Sequence, residues 1–157
     1  PELMTLKGQR ILKQCPVVLY AGSLIPREVL ESVEDSAEKI IDTASIDLDE
    51  ITAHIVEAHQ QGKDVARLQC GDPALYGAIG EQIRRLEQHG IDYQVIPGVS
   101  AVAASAAYLG KELTLSGVSQ TIIMTRYEGR TPGGAPVYNV ASHIEKPTGR
   151  PYALLDL

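Results

Sequence analysis

Apolar positions in this chain fall into short blocks that alternate between two spacings. Compact runs at Val17–Tyr20, Lys39–Ile41 and Val65–Leu68 have the length and β-branched content of buried strands. Between them Leu48, Ile51, Ile55, Val56 and Ala58 recur on one side of a helical wheel, as do Leu75, Ile79, Ile83 and Leu86, while Glu81, Arg84, Arg85 and Glu87 mark the solvated side of the second helix. The pattern is strand and helix in alternation.

Local signals set the boundaries. A short helix from Leu6 to Cys15 stops at Pro16, which lacks the N–H that a helix interior requires. Pro26 opens a second helix through Leu30. Asp47 suits the cap of the third, with Glu50 completing a variant capping box and Gly62 ending it. Gly90 closes the fourth. Tyr93–Ile96 predicts another strand, Ser100 opens an alanine-rich helix reaching Leu109 and Gly110, and Thr121–Thr125 predicts a last strand.

Repeated strand–helix units imply crossover connections, hence an α/β fold whose parallel sheet is covered on both faces. In such sheets ligands bind at the carboxyl ends of the strands. After Pro132 the residues Gly133, Gly134, Pro136, Pro147, Gly149 and Pro151 leave no sustained periodicity. The reading is therefore one α/β domain over 1–132, with 133–157 unassigned.

Composition narrows the function classes. With 157 residues and 44% apolar content the chain suits one hydrophobic core, and its net charge of −6, from 14 basic and 20 acidic residues, argues against a nucleic-acid or anionic-membrane surface. Phe and Trp are absent, which disfavours base-stacking platforms. No apolar run of about 18 residues and no basic-then-apolar start predicts a membrane span or signal peptide. Cys15 and Cys70 lack CxxC spacing, so neither a disulfide framework nor a zinc site is indicated, and free thiols fit a cytoplasmic protein.

Several chemistries lack a motif. His54, His59, His89 and His143 have no carboxylate completing a facial triad, so no metal is predicted. No GxSxG elbow, Walker loop or GxGxxG turn occurs, and neither cysteine has an evident histidine partner.

Three segments after predicted strands remain: Ala21–Leu24, Cys70–Gly77 and Pro97–Ala101. They are expected to converge on one edge of the sheet. Gly71 permits an unusual backbone angle, Asp72 offers acceptors to ligand hydroxyls or an amine, and Pro73 stiffens the turn. Cys70–Gly77 and Pro97–Ala101 also read as ordinary helix starts, with Asp72 or Ser100 as cap.

Taken together, Cys70-Gly71-Asp72-Pro73-Ala74-Leu75-Tyr76-Gly77-Ala78-Ile79-Gly80-Glu81-Gln82 and Ile96-Pro97-Gly98-Val99-Ser100 resemble the tetrapyrrole methylases, whose GDP loop and PGxS/T segment bind S-adenosylmethionine. Three further stretches, Val17–Leu24, Glu112–Leu115 with Gln120-Thr121, and Thr125–Pro132, resemble the members that methylate carbon 11 of precorrin-4 or cobalt-precorrin-4 in cobalamin synthesis. The resemblance implies a two-domain α/β enzyme, a homodimer, with S-adenosyl-L-methionine in the cleft between domains.

Carried over by position, it makes Cys70, Gly71, Asp72, Leu75, Ser100 and Ala101 cofactor-binding residues. It places Ser23, Tyr76, Arg126 and Arg130 on the side of the precorrin-type substrate, where arginine suits carboxylates. No general base is named, because a sulfonium methyl is already activated and placement dominates.

Two departures accompany the match. The chain opens at Pro1-Glu2-Leu3-Met4-Thr5-Leu6-Lys7-Gly8, resembling the tail of the family's GxGPGDP loop, so the first strand and most of that loop are expected to lie outside it. Residues from Gly133 onward do not match the second domain, although Pro136–Ser142 echoes one of its strands. An incomplete cofactor site is expected from this stretch alone. Two alternatives stay open: a methylase for another precorrin or uroporphyrinogen III, and a non-catalytic module holding a nucleotide-like ligand.

Overall fold

The structure is a computed structural model that describes residues 1–124. Three strands, β1 (Val17–Tyr20), β2 (Lys39–Asp42) and β3 (Val65–Leu68), form a parallel sheet in the order β2-β1-β3. Tyr20 lies in register with Asp42 on one side and Leu68 on the other, so all three carboxyl ends point the same way.

The helices are α1 (Leu6–Leu12), α2 (Arg27–Glu31), α3 (Leu48–Gln60), α4 (Ile79–Gln88) and α5 (Ala101–Tyr108). Thr5 caps α1 by accepting from the Gly8 N–H. The Asp47 carboxylate caps α3 through the Glu50 N–H at 2.9 Å, satisfying a donor that has no partner inside the helix. Of these two caps, Asp47 is the one expected from the sequence.

Alternation along β1 divides the core into two layers. Val18 packs with Leu12, Ile25, Val29 and Val33, joined by Tyr20, Ile40, Ala66 and Leu68. Val17 and Leu19 face the other way, with Ile51, Ala58, Ile55, Ile41 and Val65. Helices α1 and α2 therefore cover one face and α3 the other, as a central parallel strand requires. Val18 and Leu19 are completely buried, and burying one such side chain contributes about 1.5–3 kcal/mol.

Three expectations change. Tyr93–Ile96 forms no strand: Tyr93 and Val95 are exposed, and among the described residues the segment pairs with no neighbour. A strand exists only through its ladder, so propensity alone does not make one. Residues 121–124 are likewise not a strand, with Ile122, Ile123 and Met124 exposed; Thr125 lies outside the described residues. Leu75 belongs to the loop before α4, not to the helix.

The chain divides into two compact units, Pro1–Ala104 and one beginning at Ser105. The first holds the sheet. In the second, Lys111 N–H closes the end of α5 on the Ala106 carbonyl at 2.9 Å, and Leu115 and Ser119 form an isolated antiparallel bridge. Among the described residues no helix is long and apolar enough to cross a membrane.

Candidate functional site

The carboxyl ends of β1 and β3 lead into the loops singled out from the sequence. After β1, Gly22–Leu24, which contains Ser23, makes one 3-10 turn. Beside it, after β2, Thr43 donates both its N–H and its hydroxyl to the Tyr20 carbonyl, at 2.9 and 2.8 Å. These two bonds tie the ends of β1 and β2 together.

After β3 the chain runs through Cys70–Ala78 to α4. Gly71 has φ +66°, the left-handed region in which a side chain is strained. One Asp72 carboxylate oxygen accepts from the Ala74 N–H at 2.8 Å, while the Leu75 N–H bonds the Asp72 carbonyl at 3.0 Å. This is an Asx-type turn. The other oxygen accepts from the Gly98 N–H at 3.1 Å, in a segment 26 residues away.

That last bond joins the two loops. Gly98 lies so close to Gly71 that an added Cβ would overlap the Gly71 carbonyl oxygen. On the far side, Ser100 Oγ accepts from the Ala103 N–H at 3.2 Å, which makes it the cap of α5. Cys70, Gly71, Asp72, Ser100 and Ala101 are thus brought together: the position of a Gly71 Cβ is 3.7 Å from the Ala101 nitrogen and 3.8 Å from Ser100 Cα. Leu75 and Tyr76 project from the same loop and are 37% and 48% exposed, available to a ligand. Arg126 and Arg130 lie outside the described residues, as does all of Thr125–Pro132.

The geometry assigns Asp72 a role that the sequence reading did not give it. Each carboxylate oxygen already holds a backbone N–H, so the residue fastens the Cys70–Ala78 turn to the Pro97–Ala101 segment; a carboxylate has lone pairs to spare for a ligand. Cys70 is an exposed free thiol, whereas Cys15 is buried, and burial, followed by the nearby Asp64 charge, raises the Cys15 pKa.

Gln69 was absent from the candidate residues. Its Nε2 donates to the Gly77 carbonyl at 3.1 Å, and Gln82 Nε2 reaches the same oxygen at 3.4 Å. The only sequence signal was a polar residue interrupting the apolar run of β3 just before the loop. Among the described residues no group of three His, Cys, Asp or Glu side chains is placed to hold a metal ion.

A parallel sheet whose strand-end loops are joined by an aspartate and closely approaching glycines is the setting in which an α/β protein presents backbone to a ligand. The chain belongs to the Tetrapyrrole (Corrin/Porphyrin) Methylases, which match residues 1–148.

Within that family it is 54% identical over 145 residues to a precorrin-4 C(11)-methyltransferase of Pseudomonas aeruginosa, a match covering 91% of this chain and 57% of that protein. It is 51% identical over 132 residues to a cobalt-precorrin-4 C(11)-methyltransferase of Methanocaldococcus jannaschii, covering 84% of this chain and 51% of that one. The solved structure of a cobalt precorrin-4 methyltransferase, a cobalamin biosynthetic enzyme, superposes with a TM-score of 0.80 at 42% identity, covering 85% of this chain and 56% of that one. A uroporphyrin-III C-methyl transferase of Thermus thermophilus, complexed with S-adenyl homocysteine, gives 0.61 at 35% identity, with 77% and 48% covered. The chain spans about half the length of these relatives.

Proposed function

We propose that the protein containing this chain is an S-adenosylmethionine-dependent methyltransferase acting on carbon 11 of precorrin-4 or cobalt-precorrin-4 in cobalamin biosynthesis. The observation that carries this reading is the junction of Cys70–Ala78 with Pro97–Ala101 through Asp72 and Gly98, in a chain 54% identical to a precorrin-4 C(11)-methyltransferase. Cys70, Gly71, Asp72, Leu75, Ser100 and Ala101 form part of the cofactor site. Ser23, Tyr76, Arg126 and Arg130 serve the macrocycle.

The junction fits such a cofactor. Glycine at 71 and 98 lets the two loop backbones approach to contact, and the loop peptides offer donors and acceptors for a ligand's polar edge. When bound, the cofactor supplies a methyl group made electrophilic by the attached sulfonium. The protein's contribution is placement: Asp72 fixes the spacing of the two loops, and Leu75 and Tyr76 exclude water from the ligand's flank. No side chain here is assigned a proton-transfer role. Free thiols support a cytoplasmic enzyme, and the family resemblance supports a homodimer.

The test is a methylation assay on the intact protein, with precorrin-4, cobalt-precorrin-4, earlier precorrins and uroporphyrinogen III as separate substrates and mass spectrometry as readout. Transfer of one methyl group to precorrin-4 or its cobalt form is expected. Transfer only to an earlier intermediate would move the assignment within the family.

A further inference from the structure

Two residues of the Cys70–Ala78 loop, Tyr76 and Ala78, hold a conformation that their identities do not favour. Tyr76 has φ +57° and Ala78 φ +50°, both in the left-handed region that costs a residue with a Cβ free energy. Gly77 between them sits where an added Cβ would overlap the Pro73 carbonyl oxygen. Backbone of this kind persists only where its surroundings over-determine it. Among the described residues, the side-chain hydrogen bonds that reach this end of the loop are those of Gln69 and Gln82, both donated to the Gly77 carbonyl.

Gln69 also contributes in a way that stability alone does not explain. Among the described residues its buried Oε1 has no hydrogen-bond partner, and an unsatisfied buried acceptor works against folding. An apolar side chain of similar length would avoid that cost. What it would lose is the bond to Gly77.

We propose that Gln69 is a positioning residue for the methyl-donor site: its amide clamps the Gly77 carbonyl, holds the turn in which Tyr76 and Ala78 on either side are left-handed, and so presets the Leu75–Tyr76 segment for the ligand. Gln82 is the weaker second arm of the clamp. The inference rests on the cofactor reading given above, but the clamp itself is measurable without a ligand.

The experiment compares the intact wild-type protein with Gln69→Leu and the isosteric Gln69→Glu, whose ionised carboxylate cannot donate to a carbonyl. Three readouts are taken: the Kd for S-adenosylhomocysteine, the melting temperature, and the rate of chymotrypsin cleavage after Tyr76. For both variants the clamp predicts faster cleavage after Tyr76 and a Kd raised about tenfold, with the melting temperature of Gln69→Leu unchanged or higher. Unchanged cleavage and affinity would overturn it. So would a fall in melting temperature with wild-type affinity per folded molecule, which is the signature of a merely structural residue. Faster cleavage in protein whose wild type binds no S-adenosylhomocysteine would keep the clamp but remove its role in a methyl-donor site.

Discussion

In β1, Val17, Val18 and Leu19 are all buried between helical layers, and their order follows from being apolar and alternating. In the loop after β3, Cys70, Leu75 and Tyr76 are exposed, and order comes instead from hydrogen bonds donated by Gln69 and Gln82 and accepted by Asp72. The core is redundant: many side chains share the same energetic task. The loop is far less so: each Asp72 oxygen holds one backbone N–H, and the Gly77 carbonyl rests on Gln69 with Gln82 as a weaker second donor. Removing a core residue should therefore cost stability and spare the site, and removing a loop residue should do the reverse.

The largest effect is expected from Leu19→Ala. Truncating a fully buried leucine leaves a cavity between β1 and α3 and should cost about 2–5 kcal/mol. A urea melt measures it, and S-adenosylhomocysteine affinity per folded molecule should stay at the wild-type value. Loss of affinity in step with stability would dissolve the distinction between the two regions.

Gly98→Ala should act in the opposite sense. Its Cβ must displace the Gly71 carbonyl, so the Asp72 bridge opens and the Kd for S-adenosylhomocysteine is expected to rise at least about tenfold. The melting temperature should fall much less than in Leu19→Ala. Calorimetry with a thermal melt on the same sample decides between the two.

The smallest effect separates the two thiols. Cys70 should react with a disulfide reagent at the rate of an exposed thiol, and Cys15 only as the protein unfolds. Because burial raises the Cys15 pKa above its unfolded value, keeping that thiol protonated contributes stability below the unfolded value of about 8.5. This contribution is lost as pH climbs through the folded value. A stability profile across the alkaline range should slope downward there, and Cys15→Ala should flatten it.

The same contrast explains what was legible in the sequence. The positions of β1, β2, β3 and α3 follow from periodicity and from Asp47, because burial of an alternating or helical face is a local signature with a global cause. Tyr93–Ile96 has the composition of a strand but no ladder partner among the described residues, and pairing is not written in the segment itself. Leu75 fits the helical spacing of Ile79, Ile83 and Leu86, yet the chain turns left-handed at Tyr76 and Ala78 and the helix starts only at Ile79.

In the site, the family resemblance located Gly71 and Asp72, but the sequence could not say that one Asp72 oxygen is engaged by Gly98. That bond spans 26 positions and leaves no periodic trace. Gln69 escaped notice for the same reason: a lone amide beside a strand has meaning only once the carbonyl it meets is known.

Asp72→Ala tests the central claim most directly, since the account makes this one carboxylate the fastening between the Cys70–Ala78 and Pro97–Ala101 halves of a cofactor site. Titrating S-adenosylhomocysteine into the intact wild-type protein and the variant by calorimetry should give saturable binding in the first, and affinity weaker by at least about tenfold in the second, with both proteins folded. Equal affinity in the two would contradict it.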